Sequence, residues 1–408
     1  MESLHKYLSG FRLSEDSPST GTVIKEQTVN GQKIRYYINE FWTSRQRQAS
    51  SLHEVSYRAC FKPQLPAFFI ELLTDRGDLV YDPFSGRGTT ALQAALMGRV
   101  AYSNDINPLS RILAEPRMNP SDIKDVEIRL TRIPFKKKAK EDMDLSMFYH
   151  RDTLGELLSL REYLLERKEK GTEDGIDAWI RMVATNRLSG HSPGFFSVYT
   201  LPPNQAVSPA GQLKINVKRR QEPEYRDVKR LILRKSVQLL KRLTYTDREN
   251  LGIYGKAARF FTMDARQTHE IRDNAVRLTV TSPPFLNIVN YSGDNWLRCW
   301  FNGIDDQAVA DQITMPRTLK DWEQVMGEVF HELYRITVPG GWVAFEVGEV
   351  RKGTVQLEKN VIPLGIKAGL SCFGVLVNDQ KFTKTSNIWG INNNSGGTNT
   401  NRIVVLYR

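Results

Sequence analysis

Cysteine is scarce in this 408-residue chain, which holds only Cys60, Cys299 and Cys372. They stand far apart and follow Ala59, Arg298 and Ser371, so neither a CxxC zinc pattern nor a disulfide framework can be drawn. Long apolar runs are missing as well. No stretch approaches the roughly 18 apolar residues of a membrane span, and "MESLHKYLSGFRLSEDSPST" at the N-terminus has no apolar core of signal-peptide length. These absences lead us to expect a soluble cytoplasmic protein with no metal site and no membrane partner. What is present is an ordinary globular composition, 40% hydrophobic and 25% charged, with a net charge of +11. That balance suits a polyanionic partner, although it is also common among proteins that bind none.

Four segments can be read. Residues 1–50 are polar and mixed, with a hairpin signal at Asn30-Gly31 between two β-prone runs. Residues 51–119 alternate helix and strand in the manner of a βαβ unit, with "DLVYDPF" and "VAYSNDI" as strands. Residues 120–255 break that rhythm: "LGELLSLREYLLERKEK" and "YRDVKRLILRKSVQLLKRL" carry leucine and isoleucine at helical spacing. Strand signals return in 256–408 with "ARFFTMDA", "VRLTVTSPPF", "GGWVAFEVGEV" and "NRIVVLYR". The pattern predicts an α/β fold with a mostly parallel, doubly wound sheet interrupted by a helical insertion.

Two motifs carry chemistry. "DPFSGRGTT" lies where a buried strand hands over to a helix starting at Thr89 or Thr90. Gly86 and Gly88 allow a tight turn and close approach of a ligand, and the helix N-terminus offers unpaired N–H groups. It is not a P-loop, because Thr89 rather than Lys follows Gly88, and the dinucleotide fingerprint fails at Ala91. Asp105, twenty-three positions after Asp82, falls at the end of the next strand, where a carboxylate can accept ribose hydroxyls. A plain structural turn with Asp105 as a helix cap is the competing reading.

The second motif is Ser282-Pro283-Pro284-Phe285. Prolines lack an N–H and end a strand in a rigid corner of outward carbonyls. Ser282 adds an oxygen and Phe285 an aromatic face, a setting that fits a planar heteroaromatic ring bearing an exocyclic amine. Acceptors aimed at the amine protons make its nitrogen more tetrahedral and its lone pair available to an electrophilic methyl group. A simple strand-ending turn accounts for the same four residues.

Taken together, DPFSGRGTT, NDINP and TSPPF resemble the S-adenosylmethionine-dependent amino-methyltransferases of DNA, in particular the N4-cytosine group. The resemblance covers roughly residues 50–115 and 255–408 and implies a Rossmann-like methyltransferase fold. Residues 51–119 would then be its cofactor half and residues 256–408 its catalytic half. It implies S-adenosylmethionine as cofactor, with contacts from Phe61, Lys62, Pro63, Asp82, Pro83, Phe84, Gly86, Gly88, Thr89, Thr90, Asp105, Ile106 and Asp264. It implies catalysis at Ser282–Phe285 on a cytosine flipped out of double-stranded DNA, and a cognate restriction endonuclease as companion. Serine in the first position of the tetrapeptide leans toward cytosine N4, where Asp or Asn goes with adenine N6. C5-cytosine chemistry needs a Pro-Cys nucleophile, and no cysteine here follows a proline.

The insertion is the candidate target-recognition region. Residues 214–242 hold eleven Lys/Arg against three Asp/Glu, and "KKKAK" at 136–140 adds a second cluster. Lys218, Arg219 and Arg220 are read as phosphate contacts, and Phe195 and Phe196 as aromatics that stack on an opened base pair or else anchor their loop. "NYSGDNWLRCWFNG" and "TKTSNIWGINNNSGGTNTN" are read as loops near the pocket. Adenine N6 methylation, RNA base methylation and a catalytically silent DNA-binding protein remain as alternatives.

Overall fold

The computed structural model describes residues 1–13, 21–43, 49–58, 60–136, 143–202, 206–284, 291–313, 316, 318–347, 349–350, 355–379 and 400–408. Phe285, most of KKKAK and nearly all of TKTSNIWGINNNSGGTNTN fall outside these residues.

Strand-forming runs rich in Val, Ile, Phe and Tyr give β1 (Val23–Val29), β2 (Gln32–Asn39), β3 (Leu79–Asp82), β4 (Val100–Asn104), β5 (Arg259–Phe261) and β6 (Val276–Thr281). They continue as β7 (Thr337–Val347), β8 (Glu349–Val350), β9 (Val355–Gln356), β10 (Ser371–Asp379) and β11 (Thr400–Tyr407). Apart from a small β8–β9 ribbon, the described strands form one sheet in the order β1-β2-β10-β11-β7-β6-β3-β4-β5. Pairing is parallel from β7 through β6, β3 and β4 to β5, and antiparallel where β11 enters between β7 and β10.

Successive residues along a strand face opposite sides, and the core divides accordingly. Val80, Ala344, Ile403 and Val405 join one hydrophobic cluster; Tyr81, Val343, Phe345, Val404 and Leu406 join the other. Helices Gln64–Leu73 and Thr89–Leu96 cover the first side, and Leu319–Ile336, burying Trp322, Met326, Val329, Phe330 and Leu333, covers the second. With both faces covered, the central strands are apolar almost throughout.

Strand β3 lies between β4 and β6, so the chain winds outward one way from β3 and later returns on its other side. The strand order reverses there, which in open α/β sheets places a crevice beyond the C-terminal strand ends. The Asn30-Gly31 turn forms as the sequence predicts, with φ of 49° and 82°. Its hairpin then extends the sheet, β2 pairing in parallel with β10.

Helices Ile123–Arg132, Arg151–Glu169, Gly175–Arg187, Pro209–Arg219, Val228–Leu240 and Tyr245–Asn250 fill the chain between β4 and β5. Two expectations are corrected. The stretch NYSGDNWLRCWFNG contains the helix Tyr291–Phe301 instead of an open loop, and β10 is a strand that the sequence signals do not single out.

Candidate functional site

The glycine turn follows directly from the end of β3. Gly86 and Gly88 take φ of 53° and 72°, a region that side chains disfavour. The Gly86 N–H donates to Asp105 Oδ2 at 2.8 Å, and the Asn107 N–H donates to Oδ1 at 2.9 Å, so the carboxylate at the end of β4 fixes the turn. Burial pushes the Asp105 carboxyl up to about 6, against the pull of those two donors.

The two glycines differ in what surrounds them. A Cβ on Gly86 would approach Cys60 Sγ at 3.3 Å and the Tyr57 ring at 3.5 Å, both residues of the cleft wall. One on Gly88 would meet Ala114 Cβ at 2.5 Å. Gly88 therefore serves close packing between chain segments, which corrects its reading as a ligand approach.

Asp82, Thr89 and Thr90 are buried behind the cleft and not on its wall. Asp82 accepts from Thr281 Oγ1 at 2.7 Å and from the Phe84 N–H at 3.1 Å, and Thr90 Oγ1 donates to the Val280 carbonyl at 3.1 Å. These bonds tie the end of β3 and the following helix to the end of β6, fixing the glycine turn relative to the Ser-Pro-Pro corner. Burial raises the Asp82 carboxyl to about 7. Thr89 Oγ1 accepts from Arg87 Nε at 3.1 Å.

Phe61, Lys62 and Pro63 also stand off the wall, at the start of helix Gln64–Leu73. Burial and the nearby Arg87 lower the Lys62 pKa. Arg87, overlooked in the sequence, is buried and donates to the carbonyls of Val55 at 2.8 Å and Phe61 at 3.3 Å, which anchors the segment bearing Tyr57 and Cys60.

Beyond the strand ends lies an open cleft of about 990 Å³, counting the open solvent at its mouth. Pro83, Phe84, Gly86, Asp105, Ile106 and Asp264 line it together with Ser282 and Pro284, so the two motifs share one cavity. Trp322, Val325, Met326 and Val329 form an apolar wall, and Tyr57, Arg58, Cys60 and Arg266 are also among the lining residues. Asp264 accepts from Arg266 Nη2 at 2.6 Å and from the Arg266 backbone N–H at 2.9 Å; the guanidinium bond is the main cause of its lowered pKa.

At the corner, Pro283 is buried and the Pro284 carbonyl accepts from Trp322 Nε1 at 3.1 Å. The Ser282 hydroxyl hydrogen-bonds the buried Glu346 carboxylate, which also takes a bond from Asn401 Nδ2. Burial pushes Glu346 up to about 7 despite both bonds. A serine hydroxyl that donates to a carboxylate keeps its own lone pairs free to accept.

Lys218, Arg219 and Arg220 are exposed at the end of helix Pro209–Arg219, with Arg219 stacked over Tyr199. Phe195 and Phe196 correct an expectation: both are buried, Phe195 at 4% exposure, and anchor their loop instead of projecting toward a base. Among the described residues no group of three His, Cys, Asp or Glu could hold a metal, and no helix is long and apolar enough to cross a membrane.

Residues 4–112 match the model of a DNA methylase family. Over 123 residues the chain is 32% identical to the type II methyltransferase M.MjaII of Methanocaldococcus jannaschii, covering 30% of this chain and 23% of that protein. Over 108 residues it is 31% identical to the type II methyltransferase M.BsoBI of Geobacillus stearothermophilus, covering 26% and 20%. The chain thus spans under a quarter of the length of these relatives. Among solved structures, an S-adenosylmethionine-dependent methyltransferase of Methanosarcina mazei aligns over 83% of this chain and 96% of its own at 9% identity, TM-score 0.32. The rRNA methyltransferase AviRa of Streptomyces viridochromogenes aligns over 90% and 91% at 10% identity, TM-score 0.34.

Proposed function

We propose that the cleft binds S-adenosylmethionine beside the glycine turn and methylates the exocyclic amine of a base in DNA, the N4 amine of cytosine. The observation that supports this most is the shared cavity: Gly86, Asp105 and Asp264 line the same cleft as Ser282 and Pro284. The residues fit a nucleoside cofactor. Gly86 lines the cleft without a side chain of its own, and each Asp105 oxygen keeps a lone pair beyond its one backbone donor. Bound there, S-adenosylmethionine supplies an electrophilic methyl group.

The chain's own residues pin the amine. Ser282 Oγ, its proton engaged by Glu346, accepts one amine N–H. A carbonyl of the Pro283-Pro284 pair is the acceptor for the other; Pro284 lies on the cleft wall, and its carbonyl keeps a second lone pair beside its bond from Trp322. These bonds favour a tetrahedral nitrogen with an available lone pair, and the apolar wall excludes water. Serine rather than Asp or Asn at position 282 supports cytosine over adenine. The match to a DNA methylase model and to type II methyltransferases supports a site-specific enzyme of restriction–modification, with double-stranded DNA and a cognate endonuclease as partners.

Transfer of label from S-adenosylmethionine to duplex DNA tests the reading. The parent should label DNA and Ser282→Ala should lose most of that rate while still binding the cofactor. Full turnover by Ser282→Ala would remove the side chain from the mechanism.

A further inference from the structure

The stretch 189–200 is a closed loop. Thr200 N–H donates to the Gly190 carbonyl at 3.0 Å, Phe196 N–H to Arg187 O at 2.9 Å, and Phe195 N–H to Ser192 O at 3.1 Å. Cations hold it from outside. Arg226 Nη1 donates to the Phe195 carbonyl at 2.8 Å and also to that of Ser197, and Arg234 Nη2 donates to Pro193 O at 3.3 Å. The Arg187 guanidinium carbon stands 4.0 Å from the centre of the Phe195 ring.

Positive charge collects here with little to balance it. Both described hydrogen bonds of the Arg187 guanidinium go to Asn186, and no carboxylate among the described residues forms a salt bridge with Arg187 or Arg234. Lys235, 6% exposed, has Glu54 at 3.9 Å. Burial, then Arg298 and Arg234, bring the Arg187 pKa down to about 10. Like charges gathered in a low-dielectric site destabilise the free protein, and an anion settling among them reverses that cost.

The cluster backs onto the cleft. The Ser56 carbonyl accepts from Asn186 Nδ2 and from Arg298 Nη2, each at 3.1 Å, and the next two residues, Tyr57 and Arg58, line the cavity. Arg234 is exposed at the outer face, with Lys235 buried beside it. A guanidinium fork over a buried cationic floor suits a phosphodiester oxyanion.

We infer that Arg234, with Arg187 and Lys235 behind it, holds a backbone phosphate of the nucleic-acid strand whose base enters the cleft. This rests on the reading of DNA as substrate. The phosphate contact anchors the strand at the rim and carries no sequence information. Phe195 contributes indirectly, as the face that supports Arg187.

The test measures binding of a mixed-sequence duplex by fluorescence anisotropy across a salt series, for the parent, Arg234→Gln and Lys235→Met. Arg234 is exposed, so its variant folds, which unchanged S-adenosylmethionine binding checks. The inference expects Arg234→Gln to weaken binding about 3–10-fold and to reduce the salt slope by about one. Parent-like affinity and slope in both variants would overturn it while leaving the substrate reading intact. A parent that binds no duplex overturns the substrate reading, and this inference with it. Variants that lose affinity for inorganic phosphate, read by tryptophan fluorescence, yet hold duplex like the parent would show a free-phosphate site and overturn it too.

Discussion

Replacing each glycine of the turn by alanine separates packing from ligand binding. At Gly88 the added methyl falls 2.5 Å from Ala114 Cβ and 3.4 Å from its Cα, at φ 72°. Carbon atoms rest near 3.5–4.0 Å, so the start of helix Thr89–Leu96 must move roughly 1 Å from its neighbour. Left-handed backbone costs alanine about 1–2 kcal/mol and overpacking about 1–3 kcal/mol, so Gly88→Ala should lose about 2–5 kcal/mol of stability. At Gly86 the nearest atoms, Cys60 Sγ and the Tyr57 ring, lie at 3.3 and 3.5 Å and need give only a few tenths of an ångström, so the backbone term of about 1–2 kcal/mol dominates. Gly86 lines the cleft, however, and its methyl should weaken S-adenosylmethionine binding about tenfold, the scale of a 1.4 kcal/mol clash. Urea denaturation and calorimetric titration read the two quantities. A Gly86→Ala variant less stable than Gly88→Ala, or one that binds cofactor like the parent, would refute the reasoning.

Three further outcomes follow from the buried polar contacts. Thr281→Val removes the hydroxyl donor to Asp82 and should cost about 1–3 kcal/mol in urea denaturation; an unchanged midpoint would mean that the bond does not tie the strands. Trp322→Phe frees the Pro284 carbonyl and should lower kcat more than cofactor affinity, since the corner loses its brace; equal kcat would contradict that. Glu346 has its carboxyl at about 7 in the folded protein, above its ordinary value of 4.5, so its contribution to stability is greatest below the lower value and is lost as pH rises through the higher one. Glu346→Gln should flatten the fall in stability between those values, as read by denaturation at a series of pH values; an unaltered profile would show that the carboxyl does not titrate there.

Much of the fold is legible because local chemistry and global position agree. The Asn30-Gly31 turn and the helix starting at Thr89 carry their own signals and form where the residues predict, and the strand read in DLVYDPF forms as Leu79–Asp82, two residues short of the expected end. The wall of the cleft is not legible. Trp322, Met326 and Val329 repeat at i, i+4 and i+7, the pattern of any core-facing helix, and nothing local reveals that this face also borders a cavity. Strand β10 is hidden for a related reason: "FGVLV", buried on both faces, reads equally as part of a buried helix.

Pairings at long range are invisible in the same way. Asp82 meets Thr281 across 199 positions, so its role in joining two loops emerges only from the fold. Phe195 and Phe196 show the limit in reverse. Aromatics in a Gly/Pro loop serve a base or a core equally well, and burial decides for the core.

The most direct measurement incubates the protein with radiolabelled S-adenosylmethionine and mixed-sequence duplex DNA, digests the product to nucleosides and separates them. Label is expected on N4-methylcytosine. Label on adenine would contradict the assignment of the base, and unlabelled DNA would contradict the proposed activity itself.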